Sequence, residues 1–466
     1  MVLFFINGAM KIEKYDYLPE NNIIDFYEYK MRFLTESDER QILKITLFDD
    51  SSNLIKFDVE VIGLKLIELN CTPFIEKYNH ARKLYVRVNY KVEFEDYNEN
   101  CIYGSFPIIS PNYKKSLKIA SVSCNKNKID DIWNQLKDQN PDIILHAGNQ
   151  IYGDYIFDQL IGKNQEKHNI NMIYNEYANL YRSVYNEPIQ AEAMRNSLNL
   201  MVLEANDIYN SFGSKRSIAN KLNLDFTPYY SAGMKAYLNY QYQLYNDLYT
   251  DFDVDEIDGY QSINLAIDDL SNIIIGDSNI FYSVNYGNYT FIMMDERHEL
   301  YHKNISISDS QLSWIKNIIK KTECKRIIIV SPRPIGITSK NIARIYGYIS
   351  SEGTDDLLHP DNYDQTIKFL DIIKNHSFGK DIKIISGYNK NAFINDIKID
   401  KYPLTEQLIC GAIAYNDNSL IKRLSEWLVN NIDKLEIDKY TFGEKQKISY
   451  NNTFGYIEND KLFIVN

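Results

Sequence analysis

The chain has 466 residues, of which 51 are basic and 63 acidic, for a net charge of −12. At about 150 residues per domain this length suits two or three domains with full cores. The acidic balance excludes a protein that tracks a nucleic-acid backbone, which needs a positive surface, and no apolar run reaches the roughly 18–20 residues that span a bilayer.

Residues 1 to about 112 read as β. Ile55, Phe57, Val59 and Val61 alternate with Lys56, Asp58 and Glu60, and a second run alternates from Leu84 to Phe94. Period-2 alternation gives a sheet with one buried face, so a small all-β sandwich without helices is expected here. Pro107, Ser110, Pro111 and Asn112 then punctuate the chain, and a domain boundary is placed there, with domains 1–112 and 116–466.

From residue 116 the pattern changes to α/β. Residues 117–123 form an apolar strand, and Ile129, Ile132, Trp133 and Leu136 follow at helical spacing. Asn140-Pro141 stops that helix, and Ile143 begins a second strand. Further buried-type strands are expected at 199–204, 289–295, 326–330 and 382–386. Helices are expected at 309–321, 365–375 and 419–431, with Ser308 or Asp309 capping the first. Residues 155–250 are Tyr-rich and read as a helical insertion, whose tyrosines serve packing rather than a binding stripe. Strands alternating with helices define an α/β domain.

Ligands of α/β sheets bind beyond the carboxyl ends of strands. Those ends carry Cys124-Asn125, then His146 to Asp154, Glu204-Ala205-Asn206-Asp207, Asp295-Glu296-Arg297, and Gly387-Tyr388-Asn389-Lys390. Polar clusters at five ends point to one shared site.

The runs Ser121–Asn125 and Pro141–Asp154 resemble the PhoD-like alkaline phosphatases, a branch of the calcineurin-like metallophosphoesterases. So do Glu204–Ser214, Asp295 and Arg297 with Gln311 and Trp314, Ser386-Gly387, and Asn451–Glu458. The resemblance implies a metallophosphoesterase β-sandwich flanked by helices, preceded by a small immunoglobulin-like domain ending in a strand like Tyr103–Phe106. It also implies a dinuclear metal centre, and here the chain departs from the family. The bridging aspartate is Asn149, and an amide cannot supply the anionic bridge. The Asp-Asp-His-Asp/Glu block is Glu204-Ala205-Asn206-Asp207. Tyr388 stands for a carboxylate and Lys390 for an imidazole, and an ammonium has no lone pair to offer a metal.

What survives is Cys124, Tyr152, Asp154, Asp207, Asp295 and Arg297. A Cys and a Tyr at the positions of Cys124 and Tyr152 ligate iron in some PhoD-like enzymes. Two readings stay open: a dead centre with no cofactor, or a single iron or calcium ion on Cys124, Tyr152 and Asp154. Asp295 and Arg297 would pair with each other or cap a loop. Lys390 would fill the metal's space, with Glu204, Asp207 or Asp154 as partner, or lie exposed on a loop; a buried charge needs a partner. His146 is read as packing rather than as a general base. His298-Glu299-Leu300-Tyr301-His302 spells the zincin motif, which needs a helix. Only a loop is expected there, so two polar surface histidines are the expectation.

The expected function is that of an inactive pseudophosphatase with a binding or structural role, and the alternative is a divergent single-metal phosphodiesterase or phosphomonoesterase. Protein partners are expected, with exposed tyrosines supplying an interface. The 38 tyrosines against 19 glycines, with abundant Ile, Asn and Lys, point to an A/T-rich genome of the kind found in protists and large DNA viruses. A component of a viral particle is therefore the expected setting. The first eight residues are too short for a signal peptide and lack a basic start. A cytoplasmic or virion-associated location follows as an expectation. The five cysteines have no paired spacing and are expected as reduced thiols.

Overall fold

The computed structural model describes residues 2–17, 24–51, 53–79, 85–94, 97–125, 131–156, 170–210, 212–213, 227–246, 279–336, 357, 359, 361–387, 392–400, 402–413, 435–443, 446–449 and 452–465. The N-terminal part holds strands β1 (Val2–Tyr17), β2 (Ile24–Phe48) and β3 (Leu54–Asn70), helix α1 (Thr72–Asn79), and strands β4 (Tyr85–Phe94) and β5 (Tyr97–Ile109). All five strands belong to one antiparallel sheet in the order β1-β2-β4-β5, with β3 on the other flank of β2.

The sheet bends at β2. The first half of β2 pairs with β1, the second half with β4, and the register against β3 shifts between Ser37 and Gln41. Bulges of this kind bend a strand and raise its twist. The bend brings the rings of Phe5, Phe33, Tyr90 and Phe106 together, with centroids 5.1 Å apart for Phe5–Phe33 and 5.3 Å for Phe33–Tyr90. One folded sheet thus does the work expected of two. The expectation of no helix also needs correction. Pro73 suits the first turn of α1, and Asn70 Oδ1 accepts the Thr72 N–H at 2.9 Å.

The remainder is a two-sheet α/β layer structure. In chain order it runs β6 (Ile119–Val122), α2 (Asp131–Gln139), β7 (Ile143–His146), α3 (Ile170–Tyr185), α4 (Pro188–Arg195), β8 (Leu198–Met201) and α5 (Thr227–Tyr240). Then come β9 (Tyr282–Tyr286), β10 (Tyr289–Met293), α6 (His298–Lys303), α7 (Asp309–Lys321), β11 (Arg326–Ser331), α8 (Tyr363–His376) and β12 (Asp381–Ser386). The last strands are β13 (Ala392–Ile399), β14 (Tyr402–Cys410), β15 (Leu435–Ile437), β16 (Tyr440–Phe442), β17 (Gln446–Ser449), β18 (Phe454–Glu458) and β19 (Lys461–Val465).

The smaller sheet has the order β19-β18-β6-β7-β8, with β6, β7 and β8 parallel. The larger runs β15-β16-β13-β14-β12-β11-β10-β9, with β17 on β13. Its β10, β11, β12 and β14 are parallel. Leu145, Val330, Ile385, Leu408 and Ile457 share the core between the sheets. Helix α2 lays Ile132, Trp133 and Leu136 on the outside of the small sheet. Helices α7 and α8 cover the large sheet with Leu312, Ile315, Ile319, Phe369, Leu370 and Ile373. Ser308 caps α7, its Oγ accepting the Gln311 N–H at 3.1 Å. The helix expected at 419–431 lies outside the described residues.

The Tyr-rich stretch is interrupted by β8, and from Tyr177 to Tyr245 most of its described tyrosines point inward, whereas Tyr155 is exposed. Tyr229, Tyr230, Tyr237, Tyr240 and Tyr245 are buried. Tyr181 stacks on Tyr240 at 4.9 Å, and Tyr245 on Tyr282 at 3.7 Å. These rings serve packing, as expected, in the core where their area is worth most.

Candidate functional site

The loop after β7 turns sharply. Gly148 and Asn149 both have positive φ, at 88° and 57°. A Cβ on Gly148 would collide with the Glu204 side chain, so only glycine fits. The turn aims three successive N–H groups, of Asn149, Gln150 and Ile151, at the Asp207 carboxylate, at 3.1, 2.7 and 3.2 Å. The Glu204 N–H adds a fourth at 2.9 Å. Such a concave set of amides is an anion nest, and here it is filled by the chain's own aspartate. Burial pushes the Asp207 carboxyl up to about 7, against the pull of those four amides.

Asn149 lies at the centre of this loop. Its Oδ1 accepts the Asn206 N–H at 3.1 Å, and its Nδ2 lies 3.5 Å from the Cys124 Sγ. Tyr152 also hydrogen-bonds that thiol, which burial pushes up in pKa. Cys124, Asn149, Tyr152 and Asn206 are thus gathered as the sequence placed them. Asp154 turns elsewhere among its described contacts, accepting the Asn210 N–H.

Glu204 and Arg297 form a bidentate ion pair, both side chains 0% exposed. Arg297 Nε reaches Glu204 Oε2 at 2.6 Å, Nη2 reaches Oε1, and Nη1 donates to the Phe212 carbonyl at 3.3 Å. This corrects one expectation. Arg297 pairs with Glu204 rather than with Asp295. Asp295 does cap a turn: its Oδ1 accepts the N–H groups of Arg297 and His298 at 3.1 and 3.0 Å. Tyr388, Asn389 and Lys390 lie outside the described residues.

A second buried pair lies beside the first. Arg333 Nε meets Glu296 Oε2 at 2.8 Å, and Ser331 Oγ donates to Glu296 Oε1 at 2.5 Å. Burial raises the Glu296 pKa, and the Glu204 charge adds to that rise. Arg333 has no counterpart among the strand-end residues singled out from sequence. Its signal lies in the sequence all the same, since Ser331-Pro332-Arg333 follows the carboxyl end of β11.

His146 is buried and held by two amides, with Nε2 at 2.9 Å from Asn199 Oδ1 and Nδ1 at 2.9 Å from Gln150 Oε1. Asn199 Nδ2 donates to three backbone carbonyls, so its oxygen faces the ring. Nε2 must then carry the proton. Burial lowers the His146 pKa, so the ring is neutral and Nδ1 is an acceptor. The Gln150 amide is therefore oriented with Nε2 donating to His146 Nδ1. With both nitrogens engaged, His146 is a packing residue.

The zincin-like run is helical, contrary to expectation: it forms α6. His298 is buried rather than on the surface, with Nδ1 3.5 Å from Asp295 Oδ2. Glu299 is not placed to activate water. It accepts the Ser308 N–H at 2.8 Å and Gln311 Nε2 at 2.7 Å, tying α6 to the start of α7.

Among the described residues the donor set does not fit a dinuclear centre. Asn149 and Asn206 are amides, Glu204 is held by the Arg297 guanidinium, and Asp207 is held by backbone amides. Among the described residues no three His, Cys, Asp or Glu side chains gather as metal ligands.

A solved structure described as "Structure of PhoD" superposes over 98% of this chain and 84% of its own, with a TM-score of 0.59 at 10% identity. The fold is PhoD-like. A Ruminococcus gnavus beta-glucuronidase is also matched, at a TM-score of 0.25 and 8% identity, too low to carry an argument. No family model and no curated protein matches the chain. The shared PhoD-like fold therefore stands without close sequence kinship, and fold alone does not transmit a reaction.

Proposed function

We propose that this chain is a PhoD-fold pseudophosphatase, with a binding or structural role in place of phosphoester hydrolysis. The observation that carries this reading is the bidentate Glu204–Arg297 pair. It neutralises a buried carboxylate at the strand ends with a guanidinium, which has no Lewis acidity and no open coordination position. Protein partners suit such a role, and the A/T-rich residue usage favours a viral-particle component.

The test is elemental mass spectrometry of the purified chain after dialysis without chelator, with hydrolysis of p-nitrophenyl phosphate and its bis-ester measured in parallel. Less than about one-tenth equivalent of iron, calcium, zinc or manganese, with no hydrolysis, is expected. One equivalent that is lost on Cys124→Ala, with hydrolysis lost alongside it, would overturn the reading in favour of the single-metal phosphoesterase on Cys124 and Tyr152.

A further inference from the structure

Strand β3 is a sheet edge, because among the described residues it pairs with β2 alone. Long, regular edge strands are templates for another strand. From Leu54 to Glu60 the strand alternates strictly, with Lys56, Asp58 and Glu60 exposed and Ile55, Phe57 and Val59 half-buried on the core face. Those three apolar side chains pack against the core but stop at the open edge.

The charges across this sheet form an unfinished pattern. One cross-strand row reads Glu93, Lys44, Asp58 from β4 through β2 to β3. The neighbouring row reads Lys91, Thr46, Lys56. The first ends on an acid at the edge and the second on a base, and among the described residues neither Lys56 nor Asp58 is in an ion pair. A strand that placed a base beside Asp58 and an acid beside Lys56 would complete both.

We propose that the strand that does so is β3 of a second copy, paired antiparallel about a two-fold axis at Phe57. Centred there, Lys56 faces Asp58 of the second copy twice over on the exposed side. Ile55 faces Val59 twice on the core side, and the two Phe57 rings meet at the axis. The backbone agrees with this register. The Glu60 carbonyl accepts Lys65 Nζ at 2.6 Å, so it points away from β2. By the pleat, residues 56 and 58 also direct N–H and C=O to the open edge, and residue 57 does not. Lys56 and Asp58 then form the hydrogen-bonded pairs and Phe57 the close, non-bonded pair. Opposite charges directly across a ladder stabilise it and like charges destabilise it. A two-fold interface applies each effect twice.

Sedimentation velocity of the full chain from about 1 µM to about 200 µM reads the association. A monomer–dimer equilibrium is expected. Lys56→Asp places acid against acid, and Asp58→Lys places base against base. Each should weaken the dimer about tenfold or more. The double variant Lys56→Asp/Asp58→Lys restores complementarity and should return the dimer to near its original strength. Both sites are exposed, so unchanged thermal unfolding of each variant confirms that the chain is intact. A monomer at every concentration would overturn the proposal. So would a dimer indifferent to the single changes, or a double variant as weak as the singles.

Discussion

Glu204 and Arg297 are the side chains on which the candidate site turns. Removing one partner of a fully buried pair strands the other, at a cost of about 3–5 kcal/mol, whereas replacing both with apolar side chains of similar volume is often near neutral. Arg297→Met should therefore lower the denaturation midpoint sharply, and Glu204→Leu/Arg297→Met should recover most of the loss. A double variant no better than the single one would show that the pair is not the unit holding this pocket. Asp207 adds a pH dependence. Its carboxyl titrates near 7 in the folded chain against 3.8 ordinarily, so the folded state binds the extra proton between those values. The resulting stabilisation is whole below about pH 4 and is lost as the pH rises to 7. Glu296 and Glu299 are also raised by burial, so they act in the same direction. Urea midpoints between pH 4.5 and 7.5 should fall with rising pH in the natural chain. They should fall less steeply in Asp207→Asn, which also orphans backbone donors at about 1–3 kcal/mol each.

The elements show where local pattern and tertiary context agree. The span 309–321 and its Ser308 cap were readable, because the apolar spacing and the capping side chain both lie within the helix itself. Ser308→Ala should cost about 1 kcal/mol in thermal or urea unfolding. Glu299→Gln should loosen the same junction, since its carboxylate receives both the Ser308 N–H and the Gln311 amide. Helix α6 was not readable. Six residues are too few to establish a periodicity, and its start is set by Asp295 accepting two N–H groups. The bend of β2 escaped for a related reason: alternation tells which face of a strand is buried, not which strands share its edges.

At the scale of the whole molecule, the N-terminal sheet is bound to the α/β layers by a continuous core and by polar locks. Asn7 Nδ2 donates to the carbonyls of Ser105, Arg195 and Ser197 at 2.9, 2.8 and 3.1 Å, and its Oδ1 accepts the Tyr90 hydroxyl at 2.9 Å. Arg182 grips Glu36 through Nε at 3.0 Å and Nη2 at 2.6 Å, and Tyr240 donates to the same carboxylate at 2.9 Å. Asn7→Ala leaves several buried groups unpaired and should cost about 2 kcal/mol or more. Limited proteolysis should then cut between the N-terminal sheet and the rest more readily than in the natural chain. Equal resistance would mean that the apolar contact alone holds the two together.

The sequence by itself determined the α/β character from residue 116, most buried strands, and the strand ends where Cys124, Asn149, Tyr152 and Glu204 gather. Those features rest on period and composition, which neighbouring residues carry. It also determined that residue 149 is an amide, which is a matter of chemistry rather than geometry. Only the tertiary structure decided which partner each buried charge takes. Glu204 meets a guanidinium 93 residues away, Glu296 meets Arg333, and Asp207 fills a nest of amides. Burial makes pairing compulsory, but the choice among several available cations depends on distances that no local pattern encodes.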